Sequence, residues 1–204
     1  DLHSFPTRRS SDLFVSDLIL YICGKYLHKH GRLAAGTIVP TIMSNYGLFK
    51  AFDEASLSYV TTDVGDKNVY ACMRENGYSL GGEQSGHIIF GDIERTGDGI
   101  MTSLRIMEVI RAERETLSQL AVPVRFYPQQ LVNVRVADKT AAMESADVKT
   151  AVREAEEFLG GNGRVLVRAS GTEPLIRVLT EAPEDALCAQ ANDIVVGALG
   201  PFRV

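Results

Sequence analysis

Apolar residues along this chain change their spacing repeatedly, and each change of period predicts an element. From Phe14 the spacing is helical. Ile19, Ile22, Cys23, Tyr26 and Leu27 share one face, Ser16 or Asp17 can cap it, and it ends before Gly31. Residues 37–43 read as a buried strand, although Pro40 lacks a ladder N–H and points to an edge or bulge. Ser44 or Asn45 caps a helix to about Ala55, residues 58–62 form a short strand, and Asp66 caps a helix ending near Gly77. A glycine-rich run, Gly81-Gly82-Glu83-Gln84-Ser85-Gly86-His87, then leads into an apolar strand ending at Phe90. After a turn-rich loop, Gly97-Asp98-Gly99 opens a long helix to about Glu115, with Ile100, Leu104, Met107 and Ile110 spaced along one face. Strands alternating with helices at short spacing predict an α/β layered domain over residues 14–121.

The pattern shifts at Ala121-Val122-Pro123-Val124-Arg125-Phe126-Tyr127-Pro128, where two prolines and an extended character predict an inter-domain linker over residues 122–128. Residues 131–137 alternate as a strand. An amphipathic helix follows over residues 147–159, with Val148, Val152, Ala155 and Phe158 or Leu159 on one face, closed by Gly160-Gly161. Two β-rich runs, 164–168 and 175–179, flank a short turn, and a final helix runs from about Glu184 to Leu199. Residues 129–204 are therefore expected to form a small α+β domain with a helix pair on one sheet face. Residues 1–13 have neither period. They resemble a translated sequencing adaptor and are expected to be non-native or disordered, with the natural chain continuing upstream.

At 204 residues the chain accommodates one large domain or two small ones. Its 45% hydrophobic and 23% charged residues are ordinary for a soluble protein with a real core. A net charge of −5, with both signs interleaved, argues against nucleic acid or an anionic membrane as partner. An anion must then be bound by a local site. No apolar run approaches the roughly 20 residues of a membrane span. Three widely separated cysteines, Cys23, Cys72 and Cys188, read as small buried residues in a reducing cytoplasm, not as a disulfide framework or metal site.

Two stretches carry chemistry. In the first, Arg168 and Arg177 flank Ser170-Gly171-Thr172-Glu173-Pro174. Hydroxyls, a glycine that lets backbone N–H groups approach, and two guanidinium forks make a receptor for a phosphate dianion. Glu173 would repel that anion unless it points away or pairs with an arginine. The plainer alternative is an ordinary turn with its arginines in solvent. In the second, Glu83, Ser85 and His87 alternate, so an extended loop puts their side chains on one side. Carboxylate and hydroxyl suit a polyhydroxyl ligand, and His87 can move a proton near neutral pH. The alternative is that Glu83 caps a turn and His87 is satisfied by backbone. Lys67, beside Asp66, could reach a phosphate or sugar oxygen or stand in solvent. Ligands collect at the carboxyl ends of parallel strands, where these loops are expected.

With these residues in order, the chain resembles the α-D-phosphohexomutase superfamily from about Phe14 to Leu199. The resemblance rests on Thr41-Ile42-Met43-Ser44-Asn45, Val64-Gly65-Asp66-Lys67, Gly82-Glu83-Gln84-Ser85-Gly86-His87, Thr96-Gly97-Asp98-Gly99-Ile100 and Arg168-Ala169-Ser170-Gly171-Thr172-Glu173-Pro174. The Met-Ser-Asn and Ser-Gly-Thr-Glu-Pro forms favour the glucosamine branch over the phosphomannomutase/phosphoglucomutase branch. A phosphomannomutase/phosphoglucomutase fragment and a non-catalytic phosphosugar-binding module are the alternatives. The resemblance implies the third and fourth of four domains in an isomerase interconverting glucosamine 6-phosphate and glucosamine 1-phosphate through a phosphoserine and a bisphosphate. The phosphoserine and an Mg2+ held by an acidic loop are implied upstream, so this chain alone is expected to be inactive. By the same resemblance Glu83 and Ser85 hold sugar hydroxyls. Arg168, Ser170, Gly171, Thr172 and Arg177 hold the phosphate that is not transferred. His87 matches a position implicated in proton transfer. Lys67 stands where arginine is commoner, and Pro40 also departs from the usual pattern.

Overall fold

A computed structural model describes residues 15–204, which divide into two compact units, one ending at Phe126 and the other spanning Tyr127–Val204. The expectation for residues 1–13 lies outside the described residues.

In the first unit β1 (Thr37–Val39), β2 (Ser58–Tyr59), β3 (Leu80–Gly82) and β4 (Ile88–Phe90) form one sheet in the order β2-β1-β3-β4. β1 runs parallel to β2 and β3, and β4 runs antiparallel to β3. Alternation along the strands divides the core. Ile38, Leu80, Ile88 and Phe90 pack with α1 (Val15–Lys29), α2 (Tyr46–Glu54) and α4 (Gly99–Glu113). Val39 and Ile89 pack with Val69 and Met73 of α3 (Asp66–Asn76). Helices therefore cover both sheet faces, and the predicted α/β layering holds.

Several boundaries differ from those predicted. The strand expected over residues 37–43 stops at Val39, because Pro40 cannot donate. The contact with the neighbouring strand continues as an isolated Thr41–Thr62 bridge, with the Thr62 N–H on the Pro40 carbonyl and the Ile42 N–H on the Thr62 carbonyl. Asp66 is the first helical residue of α3 and not its cap, a position Gly65 takes at φ +126°. Asp17 lies inside α1 and is fully buried. Its Oδ2 accepts the Asn45 N–H at 2.7 Å. Asn45 in turn caps α2 through the Gly47 N–H. The face of α4 picked out by spacing points to solvent, with Ile100 77%, Leu104 52% and Met107 55% exposed. Thr102 and Val109 are buried instead, with Met101 and Ile106 packed on the core. Apolar residues lie on both sides of this helix, so their spacing could not select the buried one. α4 also ends at Glu113, where Arg114 turns left-handed.

A short helix, α5 (Leu117–Ala121), lies outside the predicted elements, although Thr116 and Gln119 form the capping box that a Thr-x-x-Gln spacing signals. Beyond it Val124 is buried in the first unit's core with Phe126 packed alongside, so the early part of the predicted linker belongs to that unit. Gly47 shows why: a Cβ there would lie 1.9 Å from the Arg125 carbonyl oxygen. Gly47→Ala is therefore expected to destabilise the first unit by about 1–3 kcal/mol, since backbone cannot yield as a side chain can. Chemical denaturation followed by amide exchange in α2 would measure it.

In the second unit β5 (Gln129–Arg135), β6 (Arg164–Ala169) and β7 (Leu175–Glu181) form an antiparallel sheet with β7 in the centre. α7 (Ala146–Leu159) and α8 (Asp185–Ala198) supply Val148, Ala155, Cys188, Ala191 and Val195 to a core with Val134, Val165, Ile176 and Val178. A short α6 (Lys139–Glu144), capped by Asp138, precedes α7. This is the expected α+β arrangement. The cysteines are free, with Cys23 and Cys188 buried, and burial pushes the Cys23 thiol up to about 12.

Candidate functional site

In the first unit, the loops after β1, β2 and β3 stand together at the carboxyl ends of the parallel strands. Glu83 ties two of them. It is only 7% exposed, and its Oε1 accepts the Gly65 N–H at 2.7 Å. The other oxygen, Oε2, lies 3.5 Å from Ser85 Oγ and 3.9 Å from His87 Nδ1. Ser85 Oγ and His87 Nδ1 are 3.4 Å apart. The alternation read from the sequence thus brings carboxylate, hydroxyl and imidazole to one place. The turn that does this is closed by Glu83 N–H on the His87 carbonyl and Gly86 N–H on the Glu83 carbonyl, with Gly86 at φ +113°. Only glycine takes that angle easily. Gly97 backs onto His87, its missing Cβ 2.9 Å from His87 Cα, so the residues before α4 seal one side of the turn.

This geometry changes the expected role of Glu83. One carboxylate oxygen holds the start of α3, and only the other faces the exposed Ser85 and His87. Lys67 is exposed on the first turn of α3, the helix that Glu83 anchors. Asp17 is the further contributor, holding the loop after β1 from beneath. Its signal was a polar residue on an otherwise apolar helical face.

In the second unit, Arg168 and Arg177 are directly opposite across β6 and β7, with Asn133 of β5 opposite Arg177. The loop joining these strands carries Ser170, Gly171 and Thr172. Ser170 is buried. Its N–H reaches the Leu175 carbonyl at 2.9 Å, and its Oγ accepts the Glu173 N–H at 3.3 Å. Gly171, Thr172 and Arg168 are exposed. Glu173 pairs with Arg177 through Nη2 at 3.3 Å, the arrangement that keeps a carboxylate here from being purely repulsive. The Arg177 Nε is buried and has no hydrogen-bond partner among the described residues. Two arginines placed side by side repel each other, and an anion between them removes that cost. Among the described residues no cluster of His, Cys, Asp or Glu could hold a metal ion.

Two family models cover the chain. Residues 15–126 match the phosphoglucomutase/phosphomannomutase α/β/α domain III, and residues 131–198 match the C-terminal domain of the same proteins. The chain belongs to the phosphohexomutase family. Phosphoglucosamine mutase of Lachnospira eligens is 51% identical over 188 residues, covering 92% of this chain and 42% of that protein. The enzyme of the same name from Geobacillus thermodenitrificans is 53% identical over 172 residues, 84% of this chain and 38% of its own length. The chain thus spans about two fifths of these relatives. Among solved structures, Aspergillus fumigatus N-acetylphosphoglucosamine mutase superposes with a TM-score of 0.73 at 20% identity, over 90% of this chain and 42% of that one. That likeness concerns the fold of the phosphohexomutase domains.

Proposed function

We propose that this chain is the sugar- and phosphate-recognising part of a phosphoglucosamine mutase, which interconverts glucosamine 6-phosphate and glucosamine 1-phosphate. The observation that carries the reading is the Arg168–Arg177 cross-strand pair flanking the Ser170-Gly171-Thr172 loop. Relatives of that name at 51–53% identity favour the glucosamine branch over other hexose phosphates. In this reading the loop holds the phosphate that stays on the sugar, through both guanidinium forks, the Ser170 and Thr172 hydroxyls and the Gly171 N–H. Glu83 Oε2 and Ser85 hold sugar hydroxyls, His87 holds or moves a proton beside them, and Lys67 adds a cation. In this reading Ser170 binds the phosphate and is not the nucleophile: its Oγ accepts the Glu173 N–H, which leaves its O–H to donate to the anion.

A phosphoryl group donor and Mg2+ are needed for such chemistry. A related N-acetylphosphoglucosamine mutase was crystallised with GlcNAc-6P and magnesium. Because this chain spans about two fifths of its relatives, the donor and the Mg2+ ligands are assigned in this reading to the remainder of the whole enzyme. A cytoplasmic location is part of this proposal; among the described residues no helix is long and apolar enough to cross a membrane. The test is turnover. With glucosamine 6-phosphate and Mg2+ the chain alone should show none, and fusion to the upstream domains of a relative should restore it. Turnover by the chain alone would contradict the reading.

A further inference from the structure

Lys139 stands behind the loop on which the proposed function rests, and no motif marks it. It opens α6, where the cap Asp138 gives one oxygen to the N–H groups of Thr140 and Ala141. The half-buried Lys139 ammonium donates to the Ser170 carbonyl at 2.7 Å. The end of β5 is pinned beside the same loop, because the Val136 N–H reaches the Pro174 carbonyl at 3.0 Å.

Peptide planarity turns this contact into a constraint. In a trans peptide, the carbonyl and the following N–H point in opposite directions. A Ser170 carbonyl held on Lys139 therefore fixes the Gly171 N–H on the side away from Lys139. An anion cradle requires that sorting, with N–H groups toward the anion and carbonyl oxygens behind. The peptide before an exposed glycine has little else to prevent it from flipping.

We propose that Lys139 is a positioning residue of the phosphate site, acting through the Ser170 carbonyl to present the Gly171 N–H to the anion. The proposal rests on the phosphate reading above. Its test is an inorganic phosphate titration of the 15N-labelled chain, followed at the Gly171 amide, for the wild type, Lys139→Met and Lys139→Arg. The wild-type Gly171 resonance should move with phosphate. Lys139→Met should keep the wild-type melting temperature, bind phosphate about tenfold more weakly and lose most of the Gly171 shift at saturation. Lys139→Arg, which keeps a cationic donor, should recover most of both. Unchanged affinity in Lys139→Met would overturn the proposal. So would weaker binding with a normal Gly171 shift at saturation, which would make Lys139 a source of charge alone. A wild-type chain whose 168–177 resonances ignore phosphate would overturn the functional reading, and the Lys139 role with it. Failure of Lys139 alone leaves that wild-type response intact.

Discussion

Arg164→Leu is expected to cost the second unit about 3–5 kcal/mol, because it strips an ionic partner from a buried carboxylate. Glu181 is fully buried on the central strand β7, directly opposite Arg164 on one side and Gln129 on the other. Arg164 Nε and Gln129 Nε2 both donate to it, which makes one polar row across all three strands. Removing one partner of a buried ion pair is far costlier than replacing both by apolar groups of similar size. The double change Arg164→Leu with Glu181→Leu should therefore lose much less than Arg164→Leu alone. Denaturation followed through β7 amide exchange reads the second unit alone. A loss in Arg164→Leu within about 0.5 kcal/mol, the scale of ordinary surface changes, would show that the row carries little.

Arg168→Ala and Arg177→Ala are expected to separate binding from stability. Each removes a charge-assisted fork worth about 1.5–3 kcal/mol, so affinity for a hexose phosphate should fall at least about tenfold. Without ligand the effect should be small, and in Arg168→Ala it should be favourable. Like charges directly opposite on adjacent strands cost a few tenths to about 1 kcal/mol, and Arg168 is exposed. Arg177→Ala also gives up the pair with Glu173, which offsets part of that relief. Affinity and melting measured on the same samples would check both halves. If both variants fold and keep wild-type affinity, the loop is a plain turn.

Much of this was legible because it depends on local rules. The hairpin of β6 and β7 follows from two apolar runs around a Ser-Gly turn, and the glycine-rich turn announces the Glu83, Ser85 and His87 cluster. What was not legible depends on packing at a distance. The spacing of Ile100, Leu104 and Met107 identifies a face of α4, but only contact with α1 decides that the opposite face is buried. Asp17 looks like a helix cap in sequence and acts across 28 positions on Asn45. Glu83 reads from sequence as either a ligand or a turn cap, and neither reading foresees that it holds the Gly65 N–H 18 positions away. Lys139 meets Ser170 only because β5 joins the sheet at β7, a pairing that no short motif records.

The central claim is that one chain carries separate recognition of phosphate and of sugar. The most direct measurement is calorimetric titration with glucosamine 6-phosphate and with inorganic phosphate for the wild type, Arg168→Ala and Glu83→Gln. Glutamine keeps an oxygen for the Gly65 N–H, so Glu83→Gln should fold and lose only the charge facing the sugar. The account predicts that phosphate competes with glucosamine 6-phosphate for the wild type and that Arg168→Ala weakens both ligands. Glu83→Gln should weaken the sugar phosphate and leave inorganic phosphate nearly unchanged. Absence of competition in the wild type, or a folded Arg168→Ala chain that binds both ligands normally, would contradict it.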